Sequence, residues 1–296
     1  MITLMSDSRS RDGVFWMVLS GLSFVGVNGI VRYLGADLPA AQSAFLRFLF
    51  GAILLLPVVP GLLRNGIPVG VLRLCLGRGV VHTAAVLFWF YAMARIPVAD
   101  ATAIGYLNPV VLLMAGSLLL GEPLSKRRLA AIAVAVLGAL IVLRPGARAV
   151  SLGHLSQIAA ALCFAGSYLF AKRLAGIISA SAVVALLSFS VTIGLAPLAA
   201  AVWVPISLSQ MGWLAVVAVC ATSGHFCMTK AFAVAPLTVT QPVTFLQLVW
   251  ASILGAVVFS EPVDGYVLLG GALIIGAICW VTWREAVDAA ASSAQP

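Results

Sequence analysis

Charged residues are scarce in this chain of 296 residues, where 17 Lys and Arg and 9 Asp and Glu make up only 9% of the total. Soluble domains usually carry roughly a quarter of charged residues. Together with a hydrophobic fraction of 62%, this scarcity excludes an ordinary soluble domain and predicts lipid as the solvent. Spans of roughly 20 apolar residues would use up the chain in about ten crossings, which leaves no stretch for a soluble catalytic domain.

The sequence also lacks the motifs of enzymes and cofactor sites. It contains no H-E-x-x-H, no G-x-S-x-G, no P-loop and no pair of carboxylates inside an apolar run. The cysteines lie in apolar runs without metal-ligand spacing, which is typical of small core hydrophobes. They are Cys75, Cys163, Cys220, Cys227 and Cys279. We therefore expect no enzyme, no cofactor and no metal site.

The basic residues produce a net charge of +8, but they sit between the apolar runs. This placement is typical of orientation signals in a membrane protein and argues against nucleic-acid binding. The first 13 residues are too polar for the apolar region of a signal peptide. We expect the first apolar run to remain as a span.

Apolar runs between Gly, Pro and charged residues predict ten transmembrane helices. Short connections require helical hairpins, because irregular backbone in lipid would leave polar groups unpaired. The predicted spans are 14–34, 39–60, 70–94, 99–120, 127–143, 152–172, 180–203, 210–233, 238–259 and 265–283.

An internal repeat aligns ARIPVADATAIGYLNPVVLLMAGSLLLGEP with AVAPLTVTQPVTFLQLVWASILGAVVFSEP without a gap. A consistent register over both halves indicates duplication. The repeat predicts two domains, 14–143 and 152–283. The matched pairs include Pro97 and Pro236, Asn108 and Gln247, Glu122 and Glu261, and, one register step earlier, Asn28 and Tyr168, Gly26 and Gly166, and Arg32 and Lys172.

Five spans in each half are an odd number, so the second half enters the membrane from the opposite side. The loop after Glu122 carries three basic residues, whereas the matching loop after Glu261 carries none. This bias predicts cytoplasmic termini. The predicted fold class is therefore all-α, a polytopic membrane protein with ten transmembrane helices in two inverted five-helix repeats. Such repeats are typical of alternating access.

These features resemble the drug/metabolite transporter superfamily, in particular its EamA type. The resemblance rests on the paired five-helix repeats, on the GEP and SEP ends of helices four and nine, and on the run LGALIVLRPG that closes helix five. The runs AFLRFLFGAILLLP and LRLCLGRGVVHTAAVLFWFYAMARIPVADATAI look like bacterial members assigned to uptake of riboflavin or S-adenosylmethionine. Other relatives export amino acids. The resemblance implies a carrier with a central cavity lined by helices 1, 3, 4, 6, 8 and 9.

Neutral polar and aromatic side chains on these helices are the candidates for substrate binding. Polar residues in a membrane either join helices or face a wet cavity, and aromatic residues either pack, form interfacial belts or stack on a flat ligand. The candidates are Asn28, Trp89, Tyr106, Asn108, Tyr168, Gln241, Gln247 and Trp250.

Ionisable side chains inside the spans are candidates for gating or coupling. Arg47 is too deep to reach a surface unaided, and its alternative role is a structural arginine bonded to carbonyls. Snorkelling is the simpler expectation for Arg78 and Lys230. His82 and His225 are either proton relays or hydrogen-bonded packing residues.

Three further expectations concern helix ends and packing. Glu122 and Glu261 precede prolines and are expected to cap the following helix or to pair with a nearby base. Pro109 and Pro242 are expected to interrupt helices four and nine. Small-residue faces are expected to pack helices closely or to serve a homodimer; they contain Ala131, Ala135, Ala139, Ala272 and Gly276.

The predicted function is a secondary carrier of a small organic metabolite in the bacterial inner membrane. The acidic residues near the spans, Asp100, Glu122, Glu261 and Asp264, lie at helix ends, so a permanent cation would lack a central counter-ion. This favours a flat, neutral or weakly anionic solute such as riboflavin. S-adenosylmethionine uptake and metabolite export are alternatives, and a channel or a membrane-embedded transferase are alternatives of another class.

Overall fold

The structure is a computed structural model that describes residues 8–108, 110–111, 126–144, 149–175, 177–235, 240, 243–244 and 246–293. In these ranges all regular secondary structure is helical. The helices are α1 (Ser8–Leu34), α2 (Ala40–Leu54), α3 (Val59–Asn65), α4 (Val69–Met93), α5 (Val98–Gly105), α6 (Lys126–Leu143), α7 (Leu152–Ala175), α8 (Ala180–Ala201), α9 (Leu208–Val234), α10 (Leu246–Phe259) and α11 (Gly265–Ser293).

Each of the ten predicted spans overlaps at least one of these helices. Within the described residues, five helices are long and apolar enough to cross a membrane, or six if the bent pair of α2 and α3 forms one span. That pair bends by 45° at a single 3₁₀ turn, Leu56–Val58, which contains Pro57, as expected where a ring replaces an N–H donor.

The structure describes only part of the fourth and ninth predicted spans. The fourth begins with α5, which ends at Gly105, and the ninth ends with α10, which begins at Leu246. Pro109 and Pro242 lie outside the described residues, as does Glu122.

Each of the main contacts between a helix of one half and a helix of the other has a counterpart in which the two halves have changed places. α1 packs on α9 and α4 packs on α7, so the first helix of each half contacts the third helix of the other. The same exchange relates the contact of α2 with α9 to that of α4 with α8, and the contact of α1 with α10 to that of α5 with α7. The last helices of the halves, α6 and α11, contact each other. The two halves are therefore related by a pseudo-twofold axis.

The direction of the helices shows that the repeat is inverted. The Ser20 hydroxyl of α1 donates to the Gly224 carbonyl at 2.9 Å, and further along α1 Gly26 faces Cys220, so α1 and α9 are antiparallel. α1 and α4 run in the same direction, since Arg32 near the end of α1 donates to the carbonyl of Ala94 after α4. Because α9 is antiparallel to α1 and α4 is parallel to α1, α9 runs opposite to α4, its counterpart in the repeat.

Small residues bring α6 and α11 into backbone contact. Ala131, Ala135 and Ala139 are buried, as expected for a close-packed face. A Cβ atom added at Gly138 would lie 2.6 Å from the carbonyl oxygen of Gly270, a distance that no side chain tolerates. Ala272 and Gly276 are exposed and take no part in this contact, so of the two expected roles helix packing does not apply to them within the chain.

Candidate functional site

Two histidines meet at the centre of the molecule, on the pseudo-twofold axis. The ring centroids of His82 on α4 and His225 on α9 are 5.6 Å apart. Phe24 on α1 lies edge-on to His225 at 5.1 Å, and Phe164 on α7 lies edge-on to His82 at 5.2 Å. Phe24 and Phe164 correspond in the repeat, whereas His82 and His225 are one helical turn apart in register, so the two halves make similar contacts with the pair. The site therefore joins both halves at their common axis.

Two arginines flank the histidines. Arg47 on α2 is 4% exposed, and its guanidinium carbon lies 3.7 Å from the ring centroid of Phe48. Both Arg47 and Arg78 are close enough to His82 and His225 for direct electrostatic interaction. Arg47 donates no hydrogen bond to any described residue, so the expected structural role of bonding to carbonyls is absent from the described residues.

Arg78 does not snorkel, contrary to expectation. It is only 2% exposed, and its guanidinium donates to the Ser167 hydroxyl at 3.4 Å and to the Val183 carbonyl at 3.3 Å. These acceptors on α7 and α8 hold the side chain inside the protein, because the second half offers partners that the sequence of α4 does not reveal. Lys230 is exposed, with its ammonium 5.6 Å from the Phe226 ring, as expected for a snorkelling side chain.

The histidines are only partly hydrogen-bonded. His82 Nδ1 lies 2.8 Å from the Ser167 hydroxyl oxygen. His82 Nε2 and His225 Nδ1 are buried without a partner in the described part of the chain. Tyr168 stacks on Phe164 with centroids 6.1 Å apart and lies within interaction range of Arg78. The cluster thus contains two buried ring nitrogens, His82 Nε2 and His225 Nδ1, that have no hydrogen-bond partner among the described residues.

Two of the neutral candidates join helices in this structure. The Asn28 amide donates to the Thr102 hydroxyl at 3.4 Å, and the Tyr106 hydroxyl donates to the Thr244 carbonyl at 2.7 Å. The Oδ1 atom of Asn108 is buried and accepts no hydrogen bond from a described residue. Of these three side chains, Asn108 is the one with an acceptor available to a solute.

The other candidates lie at different depths. Trp89 is half-buried and lies edge-on to Phe90, with centroids 5.1 Å apart. Gln247 is also half-buried, whereas Trp250 is 40% exposed. Gln241 lies outside the described residues. Trp250 thus faces outward rather than toward the histidine pair.

A carboxylate from the second half closes one face of the molecule. Glu261 Oε1 accepts from the Arg32 guanidinium at 2.9 Å, and Oε2 accepts from the Val98 N–H at 3.1 Å. Glu261 therefore caps α5, where its charge meets the positive end of the helix dipole. Of the two expected roles, pairing with a base is confirmed by Arg32. Capping of the following helix is not observed, since the N–H near the start of α11, that of Tyr266, is bonded by Asp264 instead.

One further ion pair and one histidine–carboxylate contact join the halves on the same face. Arg144 pairs with Asp264, and His154 Nε2 lies 3.3 Å from Asp100 Oδ2. A cavity of about 240 Å³ lies beside these groups. His154 and Arg144 were not among the site residues predicted from the sequence.

Known proteins resemble the chain along most of its length. The model of the EamA-like transporter family matches residues 11–144 and 151–283. A Riboflavin transporter of Rhizobium johnstonii is 30% identical over 283 residues, covering 94% of this chain and 93% of the relative. The Pseudopaline exporter CntI of Pseudomonas aeruginosa is 28% identical over 274 residues, covering 90% and 94%.

A third relative, an S-adenosylmethionine uptake transporter of Rickettsia bellii, is 27% identical over 276 residues and covers 92% of this chain and 94% of the relative. These relatives are named as transporters of different solutes, and none is named as an enzyme. Together with two family matches that span both halves, they place the protein among integral membrane transporters. The chain belongs to the EamA-like transporter family.

Proposed function

We propose that this protein is a secondary carrier that moves a small organic metabolite across the bacterial inner membrane by alternating access, with both termini in the cytoplasm. Exchange of conformation between two inverted halves converts a site open to one side into a site open to the other. Such a site belongs at the interface of the halves.

The observation that carries this proposal is the position of the histidine pair relative to the closed face. His82 and His225 lie on the axis between the halves, while Arg32 and Glu261 join the halves at one membrane face. Separation of Arg32 from Glu261 would open a route toward the histidine pair from the face that these two residues close. This is the geometry that a carrier needs and that a continuously open channel does not.

For the solute we propose a flat, hydrogen-bonding metabolite that is neutral or anionic, with riboflavin as the leading named candidate. The free acceptor of Asn108 and the half-buried amide of Gln247 suit a solute that bears amides, and Trp89 and Tyr168 offer aromatic faces. The relative from Rhizobium johnstonii is named for riboflavin. S-adenosylmethionine uptake and metabolite export are the alternatives, and they correspond to the names of the other two relatives.

Flux measurements in proteoliposomes test the carrier mechanism. A carrier shows saturable uptake and trans-stimulation by unlabelled solute on the other side. Conductance that rises linearly over the same range would identify a channel, and chemical alteration of the solute would identify a transferase.

A competition screen with labelled riboflavin, S-adenosylmethionine and aromatic amino acids tests the solute. We expect saturable riboflavin flux that Asn108→Ala and Gln247→Ala reduce. Gln42→Ala is the matched control, because both polar atoms of the buried Gln42 amide already bond to the Val204 backbone and its loss reports only a structural contact. Riboflavin flux that is equal in Asn108→Ala, Gln247→Ala and the wild type would contradict the proposed site.

A further inference from the structure

The central cluster contains two buried cations and lacks a compensating carboxylate among the described residues. Arg47 and Arg78 are 4% and 2% exposed. The carboxylates that form ion pairs in the described part of the chain, those of Asp100, Glu261 and Asp264, are at the closed face and are engaged by other bases. Two positive charges therefore flank the histidine pair without an anion from these residues.

This arrangement is costly unless a further group supplies negative charge. A buried ion without a partner loses its hydration and gains no equivalent interaction. Arg78 recovers part of this cost through Ser167 and the Val183 carbonyl. Among the residues that the structure describes, Arg47 gains only the face of the Phe48 ring, which compensates a guanidinium weakly.

Ser167 allows a tautomer of His82 that adds a donor to the cluster. The Ser167 hydroxyl oxygen accepts from Arg78 and lies 2.8 Å from His82 Nδ1, to which the hydroxyl proton can be donated. A neutral imidazole that accepts at Nδ1 carries its proton at Nε2. His82 Nε2 is buried and has no acceptor among the described residues. The site thus adds an unused N–H donor to the two guanidiniums.

We propose that Arg47 and Arg78 bind an anionic group of the transported solute, a carboxylate or a phosphate ester, with His82 Nε2–H as a third donor. The planar guanidinium matches these groups with paired hydrogen bonds. This inference deepens the proposed function and rests on it: the protein would be a carrier of organic anions, and the flat ring system would occupy the aromatic side of the same site. Arrival of the anion would also offset the cost of enclosing the cations between the halves.

The first experiment uses the ligand-free protein in lipid nanodiscs. We expect Arg47→Gln to unfold at the same temperature as the wild type or higher, because the substitution removes an uncompensated buried charge. Arg73→Gln is the matched control, since Arg73 is exposed on α4 and loses the same charge. A lower unfolding temperature for Arg47→Gln than for Arg73→Gln would show that Arg47 stabilises the fold, which would overturn the proposal.

The second experiment measures binding of probe pairs that differ mainly in charge: riboflavin 5′-phosphate with riboflavin, nicotinate with nicotinamide, and glutamate with glutamine. We expect the anionic member of at least one pair to bind at least about tenfold more tightly, as one charge-assisted hydrogen bond allows. Arg47→Gln and Arg78→Gln should abolish this preference, Arg47→Lys should retain part of it, and Arg73→Gln should leave it unchanged.

The outcomes separate this inference from the proposed function. Equal binding of both members in every pair, including no binding at all, would overturn the anion site, as would a preference that survives in Arg47→Gln. A charge preference in a protein that does not transport riboflavin would contradict the flavin proposal and support the anion site. Saturable riboflavin flux without any charge preference would support the flavin proposal and contradict the anion site.

Discussion

Neutralising Glu261 should open the face that Arg32 and Glu261 close. In Glu261→Gln the side chain keeps its shape, but one amide cannot accept from both Arg32 and the Val98 N–H as the carboxylate does. The side chains of Arg32 and Glu261 are 25% and 11% exposed, so solvent screens the pair only partly. A hydrogen bond to a charged group contributes about 1.5 kcal/mol at the low end, and a charge at a helix N-terminus adds about 0.5 kcal/mol.

The sum of about 2 kcal/mol corresponds to about a 30-fold shift toward the form in which this face is open. Ser252 provides the readout, because its hydroxyl is buried beside the cavity at this face. In a background without the five native cysteines, Ser252→Cys should react with a membrane-impermeant maleimide roughly 30 times faster when Glu261→Gln is added.

Asp37→Asn is the matched control, since Asp37 is exposed at the same face and loses the same charge. A double-mutant cycle with Arg32→Gln should be strongly non-additive, because both substitutions break one contact. A maleimide rate that Glu261→Gln leaves unchanged would refute the assignment of this pair as the closure of the face.

The remaining predictions concern packing and topology. Gly270→Ala should lower the unfolding temperature, because overpacking typically costs about 1–3 kcal/mol and the added methyl group would meet the α6 backbone; Gly276→Ala, where a Cβ meets nothing within 4 Å, should not lower it. Equal effects of the two substitutions would contradict the close contact of α6 and α11. Reporter fusions in the loops 121–128 and 261–265 should report opposite sides of the membrane, and a shared side would contradict the proposed topology.

The sequence was most informative where one half could be compared with the other. Asn28 and Tyr168, or Gly26 and Gly166, align because duplication preserved local positions, and the exchange symmetry of the helix contacts follows from the same register. Spacing and the odd number of spans per half predicted the inversion without any three-dimensional information. This kind of signal survives because lipid imposes the same length and polarity on every span.

Contacts between the halves could not be predicted in this way. Arg78 was expected to snorkel because it lies near the predicted cytoplasmic end of its helix, but its partners are on α7 and α8. Glu261 was expected to cap the helix that follows it or to pair with a nearby base; it pairs with Arg32, but the helix that it caps is α5, 163 positions away. In both cases the partner is selected by how the halves dock, and a repeat comparison relates equivalent residues rather than residues that touch.

The backbone contact of Gly138 with Gly270 has a consequence for how the protein could move. In a rocking carrier some helices must separate while others stay together. α6 and α11 meet with no side chain between their backbones, so any separation there would leave a gap that neither helix can fill. α6 and α11 would therefore stay together while the other helices move. The solute path would run away from this contact, between α1 and α10. A covalent cross-link from α6 to α11 should then leave flux intact, whereas one from α1 to α10 should arrest it.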